Sequence, residues 1–202
     1  GVDVHPHKGF ETVTIVYQGE VEHGDSTGRG GVIREGDVQW MTAGSGILHK
    51  EFHSHDFTAK GGMFEMVQLW VNLPAKDKSA EPGSQGISNA QIPAVDLPED
   101  AGRLRVLAGE YDGVQGPAST FTPLDVWDLR LNAGKTVTLR PVEGHNVIVV
   151  ALSGEVSVNA EARLNGPASA RLSRDGGAVV IEAASDAKVL VLSGEPIDEP
   201  VA

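Results

Sequence analysis

Cysteine is absent from all 202 residues, which excludes a disulfide scaffold and any thiolate ligand, so an ion held by this chain must be held by His, Asp or Glu. The same absence is compatible with a reducing compartment, and a cytoplasmic location is the expectation. Basic residues are scarce, 16 Lys and Arg against 28 Asp and Glu, and the net charge of −12 at pH 7 repels a phosphate backbone. No basic cluster offsets it, so direct nucleic-acid binding is not expected. Long apolar runs are missing too. The longest, Val147 to Leu152, has the length of a buried strand and falls far short of the ~18 residues of a membrane span. No membrane insertion is expected. Helical periodicity is almost absent, and neither a Gly-rich phosphate loop nor a Ser-His-Asp order occurs, which leaves nucleophilic hydrolysis without a candidate constellation.

What remains reads as all-β. Val67, Leu69, Val71 and Leu73 alternate with Gln68, Trp70 and Asn72, the period of a strand with two unlike faces. Glu11 to Tyr17, Val137 to Leu139, Val147 to Val158, Val179 to Glu182 and Val189 to Leu192 are short β-branched or aliphatic runs separated by Gly-rich turns. Between them, Pro74, Pro82, Pro93 and Pro98 punctuate a polar stretch with the composition of a connector. The expected division is therefore a first domain over residues 1–73, a connector over 74–102 and a second domain over 103–202.

The chemistry is concentrated in two short pairs. His5 and His7 flank Pro6, and His49 and Glu51 flank Lys50. In a strand, residues i and i+2 project from one face with Cα atoms roughly 6.5 to 7 Å apart, so each pair can aim two side chains at one point. If the two strands are neighbours, three imidazoles and a carboxylate converge. That donor set suits one divalent transition ion such as Fe, Mn, Co, Ni, Cu or Zn, with coordination positions left for water, O2 or substrate.

The surroundings of these pairs carry a family likeness. The stretch from His5 to Thr14, the turn from Glu22 to Gly28, the segment from Gly36 to His49, the run Gln68-Leu69-Trp70-Val71-Asn72-Leu73 and the ending Ser193-Gly194-Glu195-Pro196-Ile197 resemble pirin, a two-domain member of the cupin superfamily. The resemblance implies two tandem cupin, jelly-roll-like β-barrels. It also implies a metal site made by His5, His7, His49 and Glu51, with iron placed first among the candidate ions. Cupins in general often use the Glu after the paired histidines, here Glu11, whereas pirin-like proteins use the Glu that follows the third His, here Glu51. Pirin-like proteins also carry segments beyond both ends of this chain, which starts at Gly1 without an initiator Met; further residues are expected on each side, and a targeting signal is left open.

Three functions follow from the likeness. The leading one is an O2-dependent dioxygenase of flavonols such as quercetin, with Glu51 as the general base that accepts the proton of the substrate hydroxyl. The second is a metal-dependent regulator that binds a protein partner, either a transcription cofactor or a metabolic enzyme. The third is a metal-binding domain for another small molecule. Fold does not choose among them. A planar polyphenol needs apolar walls, and Trp40, Met41, Phe52 and Trp70 are the candidates for that pocket, with core packing as the alternative role of each. His53 shares strand parity with His49 but would lie ~13 Å from it on a straight strand, so His53 and His55 are expected to be surface or structural residues, as are His23 and His145.

An internal repeat supports two barrels independently. Gly19-Glu20-Val21 recurs as Gly154-Glu155-Val156, and Gly36 recurs near Gly176, offsets of 135 and 140. Applying them carries His5 and His7 onto Arg140 and Val142, and His49 and Glu51 onto Val189 and Val191. A second barrel with a hydrophobic centre and no metal is the expectation.

Overall fold

A computed structural model describes residues 1–201. The chain divides into two compact units, Gly1–Gln91 together with the residues from Ile197 on, and Ile92–Pro196. In the first unit the strands are β1 (Val2–His7), β2 (Phe10–Gln18), β3 (Val21–Asp25), β4 (Gly30–Ile33), β5 (Val38–Thr42), β6 (Ile47–His53), β7 (Glu65–Asn72) and β8 (Gly83–Ile87), with one short helix, α1 (His55–Lys60), between β6 and β7. They form two antiparallel four-stranded sheets, β1-β6-β3-β4 and β7-β2-β5-β8.

The facing of these sheets follows from pleating. On β2, Thr14 projects toward Glu51 of β6, and on β5, Gln39 projects toward His23 of β3. Alternate residues therefore line the interior, and their neighbours point out the far side. Apolar clusters close the interior at either end, Val16, Val21 and Ile33 at one and Met41, Ala43 and Ile47 at the other. Between them runs a band of polar side chains.

The second unit contains β9 (Ala94–Asp96), β10 (Gly102–Ala108), β11 (Glu110–Tyr111), β12 (Val114–Gln115), β13 (Leu124–Leu131), β14 (Thr136–Leu139), β15 (Asn146–Ser153), β16 (Glu155–Val158), β17 (Ala162–Asn165), β18 (Ala168–Arg171), β19 (Val179–Ala183) and β20 (Ala187–Gly194). Its main sheets are β18-β15-β20-β13-β10-β9 and β14-β19-β16-β17, with β11 and β12 paired separately. One continuous apolar core, including Leu104, Leu129, Leu139, Val149 and Ile181, fills it. The segment expected to be a connector is built into both units: β8 pairs with β5 in the first, and β9 pairs with β10 in the second. The division falls inside that segment, after Gln91.

The two units repeat one topology. The order β14-β19-β16-β17 matches β1-β6-β3-β4, and β18-β15-β20 matches β5-β2-β7. Even the irregularity recurs, since the β2–β7 ladder shifts register between Val16 and Gln18 and the β15–β20 ladder between Ala151 and Ser153. Each bulge is followed by a left-handed glycine, Gly19 at φ 83° and Gly154 at φ 81°, a conformation that costs a residue with a Cβ.

Aligning the ladders corrects the position-by-position mapping. Val21 pairs with His53 as Val156 pairs with Ala183, which places Glu51 on Ile181 and His49 on Val179. His5 pairs with His49 as Leu139 pairs with Val179, so His5 corresponds to Leu139. Neither Arg140 nor Val189 is a ligand counterpart; Val189 and Val191 lie on β20, the equivalent of β7. The offset of 140 fails because Gly36 precedes β5 whereas Gly176 follows β18, the equivalent of β5, so the two glycines do not correspond.

Candidate metal centre

The antiparallel pairing of β1 with β6 sets His5 directly opposite His49 and His7 opposite Ile47. Pro6, which lacks an N–H, is tolerated on β1 because that strand is the edge of its sheet. The three rings cluster, with centroids 4.6 Å apart for His5 and His7, 5.4 Å for His5 and His49, and 5.7 Å for His7 and His49. One nitrogen from each lies within 4.8 Å of the others.

The nitrogens are prepared for a cation. His5 Nδ1 donates to the carbonyl of Asp3 at 2.7 Å, and since a carbonyl only accepts, the lone pair of this imidazole is at Nε2. Nε2 of His7 and both ring nitrogens of His49 are buried without a hydrogen-bond partner among the described residues. Orphaned polar atoms in an interior are costly, and three of them on converging imidazoles are what a metal would satisfy. Burial holds His7 below the usual histidine range, with His5 adding to the effect. Burial likewise takes His49 down to about 4, against an opposing pull from Glu51. Both rings are therefore neutral at pH 7, the state a metal requires. The residues fit a divalent transition ion.

Glu51 adjoins the imidazole cluster, its charge acting on His7 and His49, without entering the group whose donor atoms lie within 4.8 Å of one another. The residue is 9% exposed, and its carboxylate is engaged from the opposite sheet, where Gln68 Nε2 donates to Oε1 at 3.0 Å and Oε2 at 2.9 Å and Thr14 Oγ1 donates to Oε1 at 3.3 Å. Sequence reading passed over Thr14, Gln39 and Gln68, because a polar residue on alternate strand positions is also what a solvated face looks like. The usable signal was the repeat: at these positions the second unit carries Val149, Ala170 and Val191. His23 was assigned to a turn, yet it stands on β3 as the cross-strand partner of Glu51, with its ring 6.1 Å from that of His49 and its Nε2 2.8 Å from Gln39 Nε2.

The four aromatic and apolar candidates separate. Trp70 pairs with Thr12, on the interior face, and is 68% exposed at the edge of the site. It lies 4.8 Å from Phe10 and 5.9 Å from His7, and Phe10 in turn is 5.3 Å from His7, so an aromatic wall adjoins one imidazole of the cluster. Met41 is on the same face but wholly buried beside Ile47. Trp40 pairs with Val13 and projects from the far side of its sheet, and Phe52 shares the outward face of β6 with Leu48 and Lys50. Pleating removes these two from the pocket. Glu11 is also on the far side, accepting from Thr42 Oγ1 at 2.7 Å, where burial pushes its carboxyl up. It is not part of the imidazole cluster. His53 packs edge-on to Phe57, and His55 opens α1. No described helix is long and apolar enough to cross a membrane.

Comparison with known proteins places this geometry. Residues 1–71 match the family model described as Pirin, and residues 126–202 match the Pirin C-terminal cupin domain. The whole chain is 57% identical over 201 residues to 70% of a Pseudomonas aeruginosa protein whose name assigns it provisionally as a quercetin 2,3-dioxygenase. It is 40% identical over 204 residues to 71% of a pirin-like protein of Caulobacter vibrioides. A crystal structure of quercetin 2,3-dioxygenase from Acinetobacter baumannii superimposes with a TM-score of 0.96 at 55% identity, covering 99% of this chain and 69% of the other. With two tandem cupin units and identity of this extent along its full length, the chain belongs to the pirin family.

Proposed function

We propose that this protein is a metal-dependent dioxygenase of quercetin-type flavonols, using one divalent transition ion, iron first among the candidates, held by His5, His7, His49 and Glu51. The observation that carries the reading is the convergence of three imidazoles in the first unit, with Nε2 of His7 and both nitrogens of His49 buried without partners. The identities of 57% and 55% to proteins named for this activity support the substrate class. When bound, the metal supplies Lewis acidity toward the 3-hydroxyl oxygen of the flavonol.

The chain's own residues do the rest. The imidazoles fix the reaction centre, and Glu51 accepts the hydroxyl proton at a carboxylate oxygen. Trp70 and Phe10 offer flat apolar surface to the planar rings. Overall, the flavonol takes up both atoms of one O2, its heterocycle opens, and one carbon leaves as carbon monoxide. The test is elemental analysis of protein purified without added metal, followed by O2 uptake and carbon monoxide release with quercetin before and after chelation. Uptake that disappears on chelation and returns with metal supports the reading. A fully metallated protein inert toward a panel of flavonols would overturn it and turn attention to a protein partner.

A further inference from the structure

The two units fill three equivalent positions in opposite ways. In the first, Thr14, Glu51 and Gln68 form a hydrogen-bonded group in the interior. In the second, the matching ladders put Val149, Ile181 and Val191 there, each 0% exposed and packed in one core. The fold therefore needs no polar side chain at any of the three. Where a carboxylate occupies the middle position, an amide and a hydroxyl accompany it. Where the middle position is aliphatic, so are both companions.

We infer that Gln68 and Thr14 are positioning residues for Glu51, present to fix the orientation of its carboxylate toward the imidazole cluster. Gln68 Nε2 bridges both carboxylate oxygens and also donates to Thr14 Oγ1 at 3.3 Å. A donor shared between two oxygens resists rotation of the carboxylate about its last torsion, and a hydroxyl on the adjacent strand holds the same oxygen from a second direction. Without them a nearly buried anion would be left unpartnered. Outer partners of this kind orient metal ligands and tune their affinity. Gln68 cannot ionise, so it neither competes for the substrate proton nor adds charge. The inference rests on the metal-centre reading above, but its central test requires neither turnover nor a particular substrate.

The experiment is a double-mutant cycle on the full chain, comparing Gln68→Val, Glu51→Ile and the pair, each substitution installing the residue that the second unit already packs. Thermal midpoints are read on chelator-treated protein, and Co(II) affinity by competition titration. Gln68→Val alone is expected to lower the midpoint by roughly 4 to 8 °C and to weaken Co(II) binding ~10-fold or more. In the Glu51→Ile background the same substitution should change neither appreciably. If Glu51→Ile fails to fold, Glu51→Gln supplies the second background, in which the cost of Gln68→Val should shrink for want of an anion. Equal and additive losses in both backgrounds would show that Gln68 is a packing residue and overturn the inference. A protein inert toward flavonols would refute the dioxygenase reading yet leave this cycle unaffected.

Discussion

His5 and His49 stand directly opposite one another on adjacent antiparallel strands, so a single rung of one ladder supplies two of the three clustered imidazoles. The equivalent rung of the second unit is Leu139 opposite Val179. His49→Val therefore installs a residue that this fold already accepts at that place. It should leave the thermal midpoint of the metal-free protein unchanged or raised, since it removes two buried nitrogens without partners. Metal content, read by elemental analysis, should fall to background, and flavonol-dependent O2 uptake should fall with it. Retained stoichiometric metal would remove His49 from the centre.

Glu51→Gln should separate binding from chemistry. An amide oxygen still coordinates weakly and still accepts from Thr14, but it cannot take a proton at neutral pH. Metal content should drop only partly, while kcat falls on the order of 10² to 10⁴-fold. Equal losses in metal and in turnover per protein would make Glu51 a ligand only.

Acid should act on the metal-free protein through His49. Its pKa in the folded state, about 4, lies below the ordinary value of ~6.5 in the unfolded chain. The unfolded state therefore binds the proton first. The contribution of this neutral imidazole to stability is complete above pH ~6.5 and is lost as pH falls toward 4, about 3 kcal/mol in all. His7 shifts in the same direction. Urea midpoints at pH 7.5, 5.5 and 4.5 should decline for the native sequence and decline less for His49→Val. Bound metal should be released over the same descent, because protons compete for its ligands.

The two tryptophans of the first unit should respond in opposite ways. Trp70 is 68% exposed and Trp40 is wholly buried. Trp70→Ala should leave the midpoint within a few degrees and raise KM for flavonols several-fold. Trp40→Ala should destabilise by about 3 to 5 kcal/mol, visible in denaturant unfolding, without a selective effect on KM. A KM unchanged by Trp70→Ala would take the aromatic wall out of substrate binding.

Much of this site was legible because it depends on parity alone. Two pairs of residues at i and i+2 can converge whatever the loops between them do, so the clustered His5, His7 and His49 could be named without knowing any register. Trp40 and Phe52 were misplaced for the complementary reason: their nearness to His49 and Glu51 in sequence says nothing about sheet face until a pairing such as Val13 with Trp40 is known. The repeat was visible in Gly19 and Gly154, where backbone conformation dictates the residue type. It was lost downstream, where Gly36 and Gly176 look alike in sequence but lie on opposite sides of equivalent strands, β5 and β18. Gln68 escaped notice because its value lies in a partner on the other sheet, and a cross-sheet contact leaves no trace in local pattern.

The register shift shared by Val16/Gln18 and Ala151/Ser153 makes the second unit a template for engineering. Its backbone follows the same course past the same bulge while its interior is a continuous apolar core, so the frame is indifferent to what the side chains do. Writing His at Leu139 and Val179 and Glu at Ile181, with Thr and Gln at Val149 and Val191, would transplant most of the donor set in five substitutions. The outcome would measure how much of a metal centre is side-chain chemistry and how much is the scaffold that carries it.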